Sequence, residues 1–221
     1  MHPFRFAVRA VGPRTAEGWT AQARRAEDLG YGALLMPDHL IPQLAPMPAL
    51  AAAAAATSRL RVGVHVFDND YRNPVMLARE AVTLDVLSQG RLELGIGAGW
   101  MVSDYRQLGI AYDEPRLRVD RMVEAIAIVK RLFAGERVDH DGAHYRIRGA
   151  EIGAVPVQRP HPPLVIGGGG RECGLVWKIK QSPLLRRLHV AGGNEKGRIQ
   201  ERRDRCRRRS GGPGPTPPAG I

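Results

Sequence analysis

Residues 73–100 read NPVMLAREAVTLDVLSQGRLELGIGAGW. Asn73 followed by Pro74 has the form of a helix start. The asparagine side chain can take a free backbone N–H, and proline is tolerated at the first helical position, where its missing N–H is not used. Leu77, Ala81 and Leu84 then recur at helical spacing, and Gly90 suits the left-handed stop. Leu92, Leu94 and Ile96 alternate as a strand that opens into Gly97-Ala98-Gly99-Trp100. A capped helix feeding a short apolar strand is one half of a βαβ unit, the repeat from which parallel sheets are built.

The same alternation extends in both directions. Upstream, residues 4–10 read as a strand. Thr15 is an N-cap candidate with Glu17 in the first turn, and Trp19, Ala23, Ala26 and Leu29 follow at helical spacing up to Gly30. Gly32–Met36 is a second strand, broken by Pro37. Pro48–Ser58 is an alanine-rich helix, and Leu60, Val62, Val64 and Val66 alternate as a third strand. Downstream, Val119, Met122, Ile126, Val129 and Phe133 predict a long amphipathic helix ended by Gly135. Asp141-Gly142 within Arg137–Tyr145 is a hairpin signal, and Pro163–Ile166 is a fifth strand running into Gly167–Gly170. The expected fold class is therefore α/β with a parallel sheet.

Composition narrows the class. The chain has 221 residues, 43% hydrophobic and 25% charged, with a formal net charge of +11, as suits a globular chain able to bury a core. The charge is unevenly placed: residues 1–170 carry 20 Lys+Arg against 18 Asp+Glu, and residues 171–221 carry 13 against 4. Residues 198–209 (RIQERRDRCRRR) and 211–221 (GGPGPTPPAGI) show no apolar periodicity. Cys173 and Cys206 cannot make a disulfide framework. No apolar run approaches the ~18–20 residues of a membrane span, and the first residues lack a basic stretch followed by an apolar core. A cytoplasmic location is expected.

Sites in parallel α/β folds collect at the carboxyl ends of the strands, which selects four segments. After the second strand comes Pro37-Asp38-His39. His39 is the candidate for acid/base work, since its ordinary titration lies near neutrality and Asp38 or another carboxylate could tune it; a histidine that merely closes a loop fits the position equally. After the third strand come Asp68, Asn69 and Asp70, which suit a polar ring edge, a metal or a plain turn. Gly97, Ala98 and Gly99 would let a flat ligand reach the backbone, or simply make a tight exit. Gly167, Gly168, Gly169 and Gly170 expose successive N–H groups that suit a phosphate, with Arg171 adding a cation; a flexible loop is the alternative. There is no P-loop, and GIGAGW lacks the third glycine of a dinucleotide fingerprint. No paired His/Cys ligands stand at zinc spacing, so no metal site is expected.

Taken together, these residues resemble the luciferase-like flavin monooxygenases, and within them the deazaflavin (coenzyme F-420)-dependent oxidoreductases. The resemblance is carried by residues 73–100, by Pro37-Asp38-His39, by Asp113–Asp120 leading into the long helix, and by PVQRPHPPLVIGGGG at 156–170; it covers about residues 4–172. It implies a TIM-type (β/α)8 barrel with an isoalloxazine or deazaflavin ring in its mouth. His39 would lie beside ring and substrate as a proton donor or acceptor. Asp38, Asp68, Asn69, Gly97, Ala98 and Gly99 would line the ring, and Gly167–Gly170 would face the cofactor phosphate. The implied function is that of an oxidoreductase or monooxygenase acting on a small organic substrate. It would transfer hydride with coenzyme F-420, or oxygenate with FMN as the alternative cofactor.

A full barrel takes ~250 residues, and only five strands are legible. The expectation is an incomplete barrel domain at 1–171, truncated to about its first five strands, with its C-terminal part missing or frameshifted. A basic Arg/Gly/Pro-rich tail at 172–221 would follow, irregular and disordered. An inactive truncated pseudo-enzyme is a second reading. Nucleic-acid binding through the basic tail is a third, since such runs hold phosphate backbones electrostatically, but the tail carries no recognition fold. The expected partners are a small-molecule substrate and a second copy in a homodimer, with no membrane and no nucleic acid.

Overall fold

Alternating apolar residues give each strand one face that must be buried. The computed structural model describes residues 5–167 and 189–191. Its elements run β1 (Ala7–Arg9), α1 (Ala16–Asp28), β2 (Ala33–Met36), α2 (Pro46–Ala56), β3 (Arg61–Asp68), α3 (Pro74–Leu87), β4 (Leu92–Gly97), α4 (Val102–Leu108), α5 (Pro115–Phe133), β5 (Val138–Asp141), β6 (Arg146–Ala150), β7 (Leu164–Gly167) and β8 (His189–Ala191), with a 3-10 turn at Asn69–Tyr71. One sheet carries β1-β2-β3-β4-β7-β8 in that order, every adjacent pair parallel. The strands β5 and β6 form a separate antiparallel hairpin. Among the described residues the sheet is open and does not close into a barrel.

Five of the six parallel strands are those expected from the sequence. The sixth, β8, lies inside the stretch read as an irregular tail; it pairs Val165–Gly167 with His189–Ala191. Three residues are too few to show an alternation, so nothing local marks it. The rest of 172–221 lies outside the described residues. The helix α4 also lacks a sequence signal, because seven residues make only two turns. The predicted caps form: Thr15 accepts from Gly18 N–H at 3.2 Å, and Asn73 from Val75 N–H at 2.9 Å. Among the described residues no helix is long and apolar enough to cross a membrane.

The core lies between the sheet and its helices. Leu34 and Met36 of β2, Val62 and Val64 of β3, and Leu92, Leu94 and Ile96 of β4 are all buried, together with Trp19, Leu50, Leu77, Met122 and Phe133 from the helices. Trp19 also donates its indole N–H to Ala49 O at 2.7 Å, fastening α1 to α2. Fully buried Asp85 accepts from Val157 N–H at 2.7 Å, Gln158 N–H at 3.1 Å and the Gln158 amide at 2.7 Å. These bonds bring the chain back from the hairpin to start β7.

On the opposite face of the sheet the strands carry glycine where they approach most closely. A Cβ at Gly95 would collide with Val64 O and lie 2.9 Å from the Val66 side chain. The first of these contacts is with backbone, which cannot rotate away. Gly95→Ala is therefore expected to cost about 2–3 kcal/mol, read as a lowered urea midpoint. An unchanged midpoint would show that β3 and β4 do not approach this closely.

Candidate functional site

Pro37 ends β2, and the next two residues leave the sheet at its carboxyl end. The Gln43 amide donates to Pro37 O at 2.8 Å and His39 O at 3.1 Å, which fixes the loop. His39 Nδ1 lies 2.8 Å from Asp104 Oδ2, and Asp104, from α4, is buried at 1% exposure. A carboxylate accepts, so Nδ1 carries the hydrogen and Nε2 is the atom free to exchange a proton. The Tyr71 hydroxyl donates to the same Asp104 oxygen at 3.2 Å. Trp100 meets the imidazole edge-on, with ring centroids 5.4 Å apart. The partner of His39 is thus Asp104 and not its neighbour Asp38.

Asp38 works elsewhere. It accepts from both terminal nitrogens of Arg72, at 2.6 and 3.2 Å, and from Asp68 N–H at 3.1 Å, so it ties the exit of β2 to the exit of β3. Arg72 also lies over the Phe67 ring at 4.5 Å, a cation–π contact.

A chain of polar groups continues from there. Asp68 Oδ1 accepts from Asp70 N–H at 3.0 Å and from the Tyr105 hydroxyl at 3.2 Å. The same hydroxyl stands 3.0 Å from Asp70 Oδ2, so its one proton is shared between two carboxyls. Arg121 pairs with Asp70 at 2.9 Å and also with Asp113. Burial pushes Asp68 up to about 6, and the charge of Asp70 adds to this. The Asp70 N–H and the Tyr105 hydroxyl pull in the other direction. Burial and the charge of Asp68 raise Tyr71 and Tyr105 well above the ordinary phenol value, so both stay O–H donors. Asn69, 2% exposed, donates to the Tyr145 hydroxyl at 3.0 Å and so joins the site to the hairpin. Glu124 of α5 anchors that hairpin, meeting His140 Nε2 at 2.9 Å and accepting from Tyr145 N–H at 2.9 Å.

The Gly97–Trp100 loop is held from beneath. Arg118 of α5 donates to Ala98 O at 3.2 Å and to Gly99 O, and its guanidinium covers the Tyr112 ring at 4.1 Å. Gly99 has φ +72°, and a Cβ there would collide with the Tyr105 hydroxyl and with Asp68 Oδ2; only glycine fits. Gly97 and Gly167 have a reason of their own. A Cβ on Gly97 would be 2.6 Å from the Val66 side chain and one on Gly167 2.7 Å from it, so the space their side chains would take is filled by Val66. Gly168, Gly169, Gly170 and Arg171 lie outside the described residues.

The structure therefore brings Asp38, His39, Asp68, Asn69, Gly97, Ala98, Gly99 and Gly167 to one end of the sheet. It adds residues that sequence reasoning does not select: Tyr71, Arg72, Trp100 as a neighbour of His39, Asp104, Tyr105, Arg118, Arg121 and Tyr145. For Arg118 and Arg121 a signal exists, since arginines three apart share one helix face. Asp104 and Tyr105 sit on the short α4 and give none. His65 of β3 is a further polar group here. Among the described residues its Nε2 is buried without a hydrogen-bond partner, and burial lowers its basicity. Among the described residues no cluster of three or more His, Cys, Asp or Glu side chains is placed to hold a metal ion.

The sequence and the fold resemble those of known proteins. Residues 1–176 match the family model described as luciferase-like monooxygenase. The chain is 35% identical over 153 residues to a protein of Microbacterium testaceum named F420-dependent glucose-6-phosphate dehydrogenase, covering 66% of this chain and 45% of that one. It is 33% identical over 184 residues to the protein of that name from Beutenbergia cavernae, covering 80% and 53%. The chain thus spans about half the length of the curated relatives it matches. Among solved structures, a monooxygenase from Streptomyces bottropensis superimposes with TM-score 0.68 at 27% identity, over 80% of this chain and 56% of that one. The coenzyme F420-dependent tetrahydromethanopterin reductase of Methanopyrus kandleri shares the fold, with TM-score 0.67 at 22% identity over 75% and 50%. With the family model matched across its sheet and its site loops, the chain belongs to the luciferase-like monooxygenase family.

Proposed function

We propose that this chain is the proton-handling part of an oxidoreductase that works with a deazaflavin of the coenzyme F-420 type on a small organic carbonyl or alcohol. The observation that carries the reading is the His39–Asp104 pair at 2.8 Å, set at the carboxyl ends of β2 and β4 in a family whose similar members are named F420-dependent. FMN is the second reading, favoured by the structural likeness to a monooxygenase.

The described residues fit a flat ring. Val66, Gly97 and Gly167 make a low floor on the inner face of the sheet, and the buried, unpartnered His65 Nε2 offers a bond to a polar ring edge. Asp68–Asn69 and Gly97–Gly99 form the rim that would hold the ring, with Gly167–Gly170 towards its phosphate. Asp38 contributes by holding Arg72. Such a ring supplies two-electron hydride chemistry when bound. The protein supplies the proton. His39 Nε2 gives it to a substrate carbonyl oxygen, or takes it from an alcohol, while Asp104 fixes the tautomer and balances the imidazolium charge. Exposed Leu40, Ile41 and Trp100 beside His39 suit the apolar body of the substrate.

His39→Ala is expected to lower turnover by about 10²–10⁴-fold while deazaflavin affinity, read by fluorescence quenching, stays within a few-fold. Equal loss of both would remove the proton-transfer role. Failure of the purified chain to quench either deazaflavin or FMN would overturn the cofactor reading.

Asp68 gives a pH test. Its native value of about 6 stands above the ordinary 3.8, so between these values the native state keeps a proton that the unfolded chain has released. Stability therefore falls as pH rises through that window, and the full penalty stands above it. Asp68→Asn keeps an acceptor for Tyr105 and removes the penalty. The variant should gain up to about 3 kcal/mol over the parent at pH 7, with the difference shrinking towards pH 4. Parallel melting curves for the two proteins across this range would contradict it.

A further inference from the structure

Asp104 Oδ2 accepts two hydrogens, one from His39 Nδ1 at 2.8 Å and one from the Tyr71 hydroxyl at 3.2 Å. Proton exchange at His39 uses only the first. Tyr71 ends the 3-10 turn that follows Asp68, and its ring meets that of Tyr105 edge-on with centroids 5.6 Å apart, which fixes where the hydroxyl points. The same hydroxyl is a donor towards Asp68, one of the groups that pull that carboxyl down. One phenol thus serves two acids on different elements, Asp104 of α4 and Asp68 at the end of β3.

A phenol has a single hydrogen to give. Burial and the charges of Asp68 and Asp104 keep it on the Tyr71 oxygen, so the residue acts as a neutral donor. A donor set on a carboxylate drains charge from it. The more fully Asp104 receives this hydrogen, the less negative charge it offers the imidazole and the less the doubly protonated ring is favoured. An ionised Asp68 competes for the hydrogen, whereas a protonated Asp68 leaves it to Asp104. The other charged and hydroxyl groups around the pair are engaged elsewhere. Arg72 is paired with Asp38, and Arg121 with Asp70 and Asp113. The Tyr105 hydroxyl stands between Asp68 and Asp70.

We propose that Tyr71 is a positioning residue for the His39–Asp104 pair, dividing one hydroxyl hydrogen between Asp104 and Asp68 and so setting how firmly His39 holds its exchangeable proton. The part this plays in turnover rests on the proton-handling reading above. Proton NMR titration of the full chain, with no cofactor or substrate, tests the coupling; the His39 ring signal is the one that His39→Ala removes. In Tyr71→Phe, which keeps the ring contact with Tyr105, the pH midpoint of that signal should rise by about half a pH unit with an unchanged circular dichroism spectrum. Asp68→Asn leaves Tyr71 in place and removes its competing acceptor charge. It should lower the midpoint, and lower it less when residue 71 is phenylalanine. In the loaded enzyme the pH profile of kcat should move upward in Tyr71→Phe by the same amount as the ring signal. An unchanged or lowered midpoint in Tyr71→Phe overturns the proposal. So does an Asp68→Asn shift that is absent, which is the deciding result where Tyr71→Phe does not fold, or one of equal size with either residue at position 71. The titration needs neither cofactor nor turnover, so its failure is separate from a failure of the proposed chemistry.

Discussion

The carboxyl ends of β3, β4 and β7 lie where they do because one side chain, Val66, occupies the volume that three glycines leave vacant. Side chains on Gly95, Gly97 and Gly167 would each collide with it. Accommodating Val66 goes with the irregularity between Val64 and Phe67, where the β3–β4 register shifts. Beyond the shift Phe67 pairs with Ile96 and Asp68 with Gly97, so the shift sets which residue of β3 stands beside the β4 exit loop. Bulges near sites re-aim side chains in this way. The position of Asp68 against Gly99 and Tyr105, and of the loop carrying Trp100 against His39, follows from this local packing.

Above that floor the site is an electrostatic problem solved by sharing. Asp38, Asp68, Asp70 and Asp104 stand at the same end of the sheet, and each carboxyl meets donors of its own. Arg72 answers Asp38, Arg121 answers Asp70 and Asp113, and the tyrosine hydroxyls serve Asp68, Asp70 and Asp104. Asp68 receives only neutral donors, which is why burial can raise it. Arg118 is spent on main-chain carbonyls and one tyrosine. The near balance of charge in the first 170 residues thus has a local meaning: these arginines near the site are engaged as internal counterions and struts.

The fold was legible wherever a period could repeat. Leu92, Leu94 and Ile96 show their strand because a full alternation fits before Gly97, and Asn73-Pro74 shows its helix because cap chemistry is local. The strand β8 and helix α4 were not legible, since three residues and two turns carry too little pattern. The site was legible at the level of strand ends, which place His39, Asp68 and Gly97 together, but not at the level of partners. Nothing in the chain near His39 says that its carboxylate comes from residue 104 and not from residue 38. That choice is made by the turn that commits Asp38 to Arg72 and Asp68 N–H. The glycines at Gly97 and Gly167 have a packing reason that the sequence does not show: the space a side chain would take there is filled by Val66.

The described hydrogen-bond network around His39 is built from residues between Asp38 and Tyr145, drawn from the exits of β2, β3 and β4, from α4, α5 and the hairpin. None of its described members follows β7. His39 and Asp104 are thus held by an open sheet, because each is fixed by direct hydrogen bonds to its neighbours and not by closure of a barrel. In a closed barrel further units bring their own strand ends to the same mouth. They would surround His39 without having to position it, so its geometry and the walls around it are separable properties of the fold.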